Sequence, residues 1–264
     1  MRIFETVRTV VVKVGSSVLT RPDGSLSRSD LKRIISEIIG LKQRGLGLVL
    51  VSSGAIASGL HAVGHKKRPR EISELQACAA VGQPLLMQAY QSLLPRQKVA
   101  QILITRDDIE DRRRFLNAKH TLKSLLSHGV LPIVNENDTV AVDEIKVGDN
   151  DSLAAFIATL VEADLLILLT DRDGFYRRDP AVDPTAERIP LVRDIDALQA
   201  EAGGTSRRLT GVGGMQTKLQ AARIAGKCGI PTLIANGRRK RHLQMIFNTG
   251  DLEKRGGTLF LPKT

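Results

Sequence analysis

Hydrophobic positions along the chain follow two periods that alternate with each other. Short runs of consecutive apolar residues are typical of buried strands, and segments with apolar residues three and four apart are typical of amphipathic helices. The predicted strands cover residues 9–14, 46–51, 99–104, 130–134, 164–169, 231–235 and 258–261. The predicted helices cover residues 29–44, a segment from 55, 73–94, 111–128, 152–162, 215–226 and 239–247. Pro84 lies inside the third of these helices and is expected to kink or break it.

Strands that are apolar throughout, each followed by a helix, are typical of a parallel sheet with helices on both faces. We therefore predict an α/β fold, a three-layer αβα sandwich around a mainly parallel central sheet. No linker, repeat or low-complexity tract divides the chain, so one domain over residues 1–264 is expected. Ligands of such sheets bind beyond the carboxyl ends of the strands, and the residues there are the candidates for function.

Small and polar residues follow several of the predicted strands. They occur at residues 13–17, 52–55, 170–174 and 211–218. Glycine-rich loops before helices offer free backbone N–H groups to an anion, and lysines there supply charge for phosphate oxygens. Lys13 is notable because a lysine inside a buried strand is costly unless its charge is used. The spacing is not that of a Walker loop, and no protein-kinase signature is present.

Residues 135–151 are acidic, in contrast to the rest of a chain whose formal net charge is +11. Six carboxylates and three amides surround a single base, Lys146. A solvated loop with a helix cap would explain Asp151 or Ser152, but it does not explain so many acids and amides in one segment. This set of side chains fits a small ligand that carries an ammonium group, or a metal.

The basic residues concentrate in clusters at 65–70, 112–114 and 238–242. Aromatic residues make up only 3% of the chain and there is no Trp, so stacking platforms for nucleic acid are scarce. We interpret the clusters as solvated basic faces rather than as a nucleic-acid interface. No apolar run approaches the ~20 residues of a membrane helix. Two cysteines in apolar helical sequence are expected to be reduced thiols, which fits a cytoplasmic location.

An ordered set of motifs resembles the glutamate 5-kinases of the amino acid kinase family. The motifs are VVKVGSS, VSSGAIASG, AAVGQ, LITRDDIEDRRRFLNA, VNEND, EIKVGDND, LLTDRDGFYRRDP and GGMQTKLQAA. They cover nearly the whole chain in order, and VNEND and IKVGDND are the most specific. The resemblance implies ATP-dependent phosphorylation of the γ-carboxylate of L-glutamate, with Mg²⁺ bound to the ATP phosphates and direct metal ligands unassigned.

The resemblance also implies roles for particular residues. Lys13 and Lys218 would contact the transferring phosphoryl group, and Asp151 would orient them. Glutamate would be held by Ser53, Asp138 and Asn150, with Asn135 beside them. ATP would be bound by both lysines, Thr170, Asp171, Val212, Gly213, Gly214, Met215, Gln216 and Thr217.

Further expectations follow from the same family. They are a homo-oligomer (dimer or tetramer), feedback inhibition by proline, and transfer of the product to glutamyl phosphate reductase. The chain departs from the family pattern at Val212, where Thr is usual, and at Leu75, where Lys is usual. We expect no C-terminal RNA-binding-like (PUA) domain.

Two alternative functions remain open from the sequence. One is a sibling kinase acting on acetylglutamate, carbamate or UMP. The other is a nucleotide- or RNA-binding regulator that kept the fold and lost the chemistry. The basic clusters favour the regulator slightly, whereas retention of both lysines and Asp151 counts against it.

Overall fold

The computed structural model describes residues 3–141, 150–201, 214–249 and 252–262. Within these ranges the longer strands alternate with helices, as the hydrophobic pattern predicts. The strands are β1 (Thr9–Val14), β2 (Gly47–Ser52), β3 (Val99–Ile104), β4 (Leu131–Glu136), β5 (Leu165–Thr170), β6 (Phe175–Tyr176), β7 (Arg188–Ile189), β8 (Leu191–Val192), β9 (Thr232–Asn236) and β10 (Thr258–Phe260).

Helices connect these strands. They are α1 (Ile3–Thr6), α2 (Ser16–Leu19), α3 (Arg28–Lys42), α4 (Ala55–Gly59), α5 (Ile72–Leu93), α6 (Arg106–Glu110), α7 (Arg112–Ser127), α8 (Asp151–Leu160), α9 (Ile195–Glu201), α10 (Gly214–Lys227), α11 (His242–Asn248) and α12 (Leu252–Arg255). None of the helices in the described ranges combines the length and apolarity needed to cross a bilayer.

Eight strands form the central sheet in the order β3-β4-β2-β1-β5-β9-β10-β8. The first six run parallel to one another, whereas β10 is antiparallel to β9 and parallel to β8. A separate antiparallel pair consists of β6 and β7. Because the first six strands are parallel, their carboxyl ends lie along one edge of the sheet, and the candidate residues lie there with them.

Side chains of the central strands alternate between two hydrophobic cores, one on each face of the sheet. In β1, Val10 and Val12 belong to one core and Val11 to the other. The first core is covered by α3, α5 and α11, and the second by α7, α8 and α10. The predicted α/β fold with three layers and a mainly parallel sheet is therefore confirmed.

Helix α5 continues through Pro84, so the predicted break at this residue is wrong. Tertiary packing explains the difference, because α5 lies in backbone contact with α4. A Cβ atom built on Gly82 would lie 1.8 Å from the carbonyl oxygen of Ala55, so only glycine permits this approach. Further along the helix, Leu86 and Tyr90 are fully buried in the first core. These contacts compensate for the hydrogen bond that proline cannot make.

Strand β4 is longer than predicted and ends at Glu136 rather than at residue 134. Asn135 and Glu136 are therefore paired with β3 inside the sheet, with registers to Leu103 and Ile104. Polar residues at a strand end interrupt the apolar pattern, which is why the prediction stopped early. The polar sequence that follows β4 predicts a short hairpin near residues 139–147, and most of these residues lie outside the described ranges.

The short strands β6, β7 and β8 were not predicted, and neither was the reversed direction of β10. Each of the first three is two residues long, which is too short to show a hydrophobic period. Strand direction depends on the connection and not on the residues of the strand itself. The sequence therefore predicted β10 as a strand but carried no signal for its direction or for the three short strands.

Candidate functional site

Two lysines from distant parts of the chain meet at one buried aspartate. Lys13 Nζ lies 2.6 Å from Asp151 Oδ1, and Lys218 Nζ lies 2.9 Å from Asp151 Oδ2. The exposed fractions of the three residues are 3% for Lys13, 8% for Lys218 and 0% for Asp151. In this low-dielectric position the ion pairs are strong, and removing one partner would leave uncompensated charge.

The fold explains why these side chains converge. Lys13 is the penultimate residue of the central strand β1, Asp151 is the first residue of α8, and Lys218 lies in the second turn of α10. Helices α8 and α10 pack side by side on the same face of the sheet. Three elements thus bring one charge each to the carboxyl edge of the sheet.

Additional contacts hold the second lysine and the aspartate in place. Lys218 Nζ donates to the carbonyl oxygen of Gly214 at 2.9 Å. The hydroxyl of Thr217 donates to Asp151 Oδ2 at 3.0 Å. Two ammonium groups around one carboxylate leave a net charge of +1, so the cluster suits a polyanion such as a nucleotide phosphate.

Gly15 allows the chain to pass close beside Lys13. A Cβ atom built on Gly15 would lie 3.1 Å from the carbonyl oxygen of Leu169 and 3.8 Å from Lys13 Nζ. The backbone N–H of Gly15 donates to that same carbonyl at 3.1 Å. A side chain here would crowd the space in front of the lysine, where a phosphoryl group would have to fit.

A cavity of about 260 Å³ opens next to the charged cluster. Its walls come from the segments after β1, β2 and β4 and from the start of α8. All four residues assigned to glutamate line it: Ser53, Asn135, Asp138 and Asn150. Ser16, Glu136 and Arg68 line it as well. The structure therefore brings together four predicted residues that lie up to 97 positions apart (53 to 150).

Buried amides form one wall of this cavity. Asn150 Nδ2 donates to the carbonyl oxygen of Ser52 and to Asn135 Oδ1, both at 2.8 Å. Asn135 Nδ2 in turn donates to Gln83 Oε1 at 2.9 Å. The side chains of both asparagines are therefore fixed before any ligand binds.

The carboxyl group of Asp138 in the cavity wall has a pKa well above its ordinary value. Burial raises its pKa to about 6, while the positive charge of Arg68 acts in the opposite direction. A carboxylate with few neutralising partners in a partly buried position favours a cationic ligand group. The ammonium group of an amino acid is such a group.

Thr170 and Asp171 lie at the end of β5, on the other side of β1 from the cavity. Thr170 Oγ1 donates to Asp171 Oδ1 at 3.1 Å, and Ser17 Oγ donates to the same oxygen at 3.4 Å. The neighbouring strand β9 ends at Asn236, which pairs with Thr170, and the N–H of Gly237 donates to Thr170 O at 2.7 Å.

The predicted ATP-binding segment is only partly described. The first turn of α10 consists of Gly214, Met215, Gln216 and Thr217, and Lys218 follows in the second turn. Val212 and Gly213 lie outside the described residues, and so do most of the IKVGDND motif and the carboxylates at 143, 144 and 149. Within the described ranges, no three His, Cys, Asp or Glu side chains are grouped to hold a metal ion.

Two cavity-related residues were missed by the sequence reasoning. Arg68 was interpreted as part of a solvated basic face, yet it lines the cavity. Because Arg68 lies within a run of basic residues, the sequence did not distinguish it from its solvated neighbours. Gln83 is buried at 8% exposure and contacts Asn135, although nothing in the pattern of α5 distinguishes it from the other glutamines of that helix. The AAVGQ motif contains it and was the available signal.

Comparison with known proteins identifies the class of this fold and site. The profile of the Amino acid kinase family matches residues 8–236. The chain belongs to the amino acid kinase family. At the level of the fold it is similar to a carbamate kinase from Giardia lamblia bound to AMP-PNP, with a TM-score of 0.63, 16% identity and coverage of 97% of this chain and 99% of that one. A UMP kinase from Bacillus anthracis gives a TM-score of 0.66 at 17% identity, with 98% and 97% covered.

More similar relatives carry one name, glutamate 5-kinase. The protein of Geobacter metallireducens is 48% identical over 262 residues, which are 98% of this chain and 69% of that protein. The protein of Clostridium acetobutylicum is 46% identical over 263 residues, which are 98% of this chain and 97% of that protein. The resemblance inferred from the motifs is confirmed by these relatives.

Proposed function

We propose that this chain transfers the γ-phosphoryl group of ATP to the γ-carboxylate of L-glutamate. The products are γ-glutamyl 5-phosphate and ADP, and the reaction is the first step of proline biosynthesis. One observation carries the proposal: two buried lysines share one aspartate beside a cavity of acids and amides. The glutamate 5-kinase relatives, at 46% and 48% identity over 98% of the chain, favour glutamate over acetylglutamate, carbamate or UMP.

The chemistry requires charge neutralisation more than proton transfer. A glutamate γ-carboxylate has a pKa of ~4.3 and is already ionised at neutral pH. One of its oxygens attacks the γ-phosphorus while the bond to the β,γ-bridging oxygen breaks and ADP leaves with the electron pair. The obstacle is the approach of an anion to a polyanion, so positioning and electrostatic stabilisation carry the catalysis.

Lys13 and Lys218 meet this requirement. Both ammonium groups are held in place by Asp151 before substrate binds, so little reorganisation is needed as charge develops on the phosphoryl oxygens. Asp151 acts as the residue that orients the two lysines and moderates their mutual repulsion. Burial of all three strengthens their interaction with the transferring group.

The cavity supplies the glutamate site. Asp138 and the carbonyl oxygens of Asn135 and Asn150 are suited to the α-ammonium group, and Ser53 offers a hydroxyl at the start of α4. For the reaction, a glutamate bound there would direct its γ-carboxylate towards the ammonium groups of Lys13 and Lys218. The cavity and the lysine cluster thus suit the two ends of one small substrate.

ATP would lie across the ends of β5 and β9 with its phosphates at the first turn of α10. Thr170, Asp171 and the segment 212–218 would contact it. Mg²⁺ would be held mainly by the ATP phosphates and would offset part of the charge of the polyphosphate. The net positive charge of the lysine cluster fits such a substrate.

The remaining expectations belong to the same proposal. The protein would act in the cytoplasm as a homo-oligomer and would be inhibited by proline. Its product is a labile acyl phosphate, so a glutamyl phosphate reductase would consume it directly. The reductase is supported by the chemistry of the product, and the other three statements rest on the resemblance of the sequence motifs.

The decisive experiment is glutamate-dependent ADP release, with hydroxylamine added to trap the acyl phosphate as a hydroxamate. We expect both signals with glutamate and neither with acetylglutamate, carbamate or UMP. ADP release with one of those three instead would assign the chain to a sibling kinase. Salt-sensitive RNA binding without any ADP release would support a non-catalytic regulator and overturn the proposal.

A further inference from the structure

Four side-chain amides form a continuous line from the surface to the cavity. Gln83 Nε2 on α5 donates to Gln101 Oε1 on the edge strand β3 at 3.1 Å. Gln83 Oε1 accepts from Asn135 Nδ2 at 2.9 Å, and Asn135 Oδ1 accepts from Asn150 Nδ2 at 2.8 Å. Gln83, Asn135 and Asn150 are exposed by only 8%, 2% and 7%, so water contributes little to their orientation.

The line has a direction: Asn150, Asn135 and Gln83 each donate outward to the next amide, and each of those donations is accepted by a carbonyl oxygen. Asn150 uses both of its N–H groups, one on Asn135 Oδ1 and the other on the carbonyl oxygen of Ser52. Its Oδ1 accepts no hydrogen bond from any residue that the structure describes. The polar atom that Asn150 has left for a ligand is therefore an acceptor and not a donor.

We infer that Gln83 is a positioning residue that sets the orientation of Asn135 and Asn150 and thereby selects an amino acid with a free α-ammonium group. The inference deepens the proposed function and rests on it. Gln83 is not among the described residues that line the cavity, and its described side-chain hydrogen bond to the cavity wall goes to Asn135. Its effect on glutamate is transmitted by the two asparagines.

Gln83 is the member that decides the direction, because its carbonyl oxygen receives the N–H of Asn135. Without that acceptor, Asn135 can rotate its amide, and its Nδ2 would then face the N–H groups of Asn150. Two donors facing each other are unfavourable. Asn150 would then be driven to rotate, which breaks its bond to the carbonyl oxygen of Ser52 and presents N–H to the ligand. An N–H group repels an ammonium ion, and buried amides without partners are costly in either orientation.

The close contact between α4 and α5 shows why α5 can place this residue so well. Gly59 and Gly82 allow the two helices to touch through their backbones, and Gln83 follows directly after Gly82. Helix α5 is therefore held against the cavity wall that α4 provides. The glutamine occupies the only position of the helix, among the described contacts, from which a side chain bonds to Asn135.

The test compares Gln83→Met, which keeps the volume and removes the acceptor, with Gln83→Glu, which keeps an acceptor for Asn135. Gln91→Met is the matched control, because Gln91 is an exposed glutamine of the same helix. The measurements are kcat, the KM values for glutamate and ATP, the inhibition constant of glutarate, and the melting temperature. Glutarate has both carboxylates of glutamate but no ammonium group.

For Gln83→Met we expect a glutamate KM about 10-fold higher, since an oriented hydrogen bond to a charged group is lost. We expect kcat and the ATP KM within about 3-fold of wild type, because the lysine cluster is untouched. The glutarate inhibition constant should stay unchanged, and Gln83→Glu and Gln91→Met should keep a near-normal glutamate KM.

Three outcomes would overturn the inference while leaving the proposed function intact. These are an unchanged glutamate KM in Gln83→Met, a parallel rise for glutamate and glutarate, and an equal loss in Gln83→Glu. A lower melting temperature with unaltered KM values would make Gln83 a purely structural residue. Wild-type protein without glutamate-dependent ADP release would overturn both the proposed function and this inference.

Discussion

The lysine cluster and the amide-lined cavity adjoin each other but are built in opposite ways. The cluster consists of full charges, with Lys13 and Lys218 in contact with Asp151 at 2.6 and 2.9 Å. The cavity wall consists mainly of neutral dipoles, fixed by hydrogen bonds between amides. Its acid, Asp138, has a pKa raised to about 6 and is thus poorly neutralised by its surroundings.

Under the proposed function, the difference corresponds to two separate tasks. Phosphoryl transfer needs fixed positive charge that is present before the reaction, because charge moves between oxygens during it. Recognition of an amino acid needs correctly oriented acceptors, which can be neutral and still discriminate strongly. Changes in the cluster should therefore act on kcat, and changes in the cavity should act on the KM for glutamate.

Asp151→Asn is expected to have the largest effect. The substitution keeps the shape of the side chain but leaves two buried ammonium groups without a counter-charge. Loss of one partner of a buried ion pair typically costs about 3–5 kcal/mol of folding free energy. We expect a urea midpoint lowered accordingly and turnover lowered by ~10³-fold, since the lysines lose their orientation.

Addition of MgATP to this variant provides its control. Phosphates can replace part of the missing negative charge, so the nucleotide should raise the melting temperature of the variant more than that of wild type. Equal shifts in the two proteins would show that the lysines do not contact the phosphates.

Lys218→Ala is expected to lower turnover by ~10²-fold or more while the fold stays intact, because one charge on the transition state is lost. Lys227→Ala is the matched control, since Lys227 lies in the last turn of the same helix. Steady-state kinetics of both variants, with circular dichroism spectra for the fold, make the comparison. Near-normal turnover of Lys218→Ala would remove this lysine from the proposed mechanism.

Asp138→Ala is expected to raise the glutamate KM by ~10-fold with little change in kcat, because an ionic contact to the ammonium group is lost. In wild type the glutamate KM should fall as the pH rises from 5 to 7. Below its pKa of about 6 Asp138 is protonated and neutral, and above it the carboxylate is available for the ammonium group.

The pH profile also shows whether Asp138 acts in the glutamate cavity or at the lysine cluster. Asp138→Asn should lose the dependence near pH 6, while the ATP KM stays flat in both proteins. If only the ATP KM responded to Asp138→Ala, this aspartate would belong to the nucleotide site.

Arg68→Leu is expected to have the smallest effect. Arg68 lines the cavity and its charge acts on Asp138, but its side chain is exposed to solvent. An exposed charge contributes about 0–1 kcal/mol, so the glutamate KM should rise only ~2- to 5-fold and more at low salt. Arg70→Leu in the same segment is the control. Equal effects of the two substitutions would restore the interpretation of the basic residues at 65–70 as a solvated face.

The sequence by itself determined the alternation of the longer strands with helices and the mainly parallel type of the sheet. Strands β1 and β3 were predicted with the bounds that the structure shows, because runs of buried apolar residues have a clear local signature. Lys13 was singled out for a physical reason, namely that a buried lysine is costly unless its charge is used. The motifs added the assignment of Asp151 and Lys218.

Tertiary structure alone decided the contacts that make these residues a site. Lys13 and Lys218 are 205 positions apart, and only the packing of α8 and α10 against the sheet brings both to Asp151. The orientation of the amides, the raised pKa of Asp138 and the direction of β10 likewise depend on neighbours that are distant in sequence. A local pattern reports which face of an element is buried, but it does not report what that face is buried against.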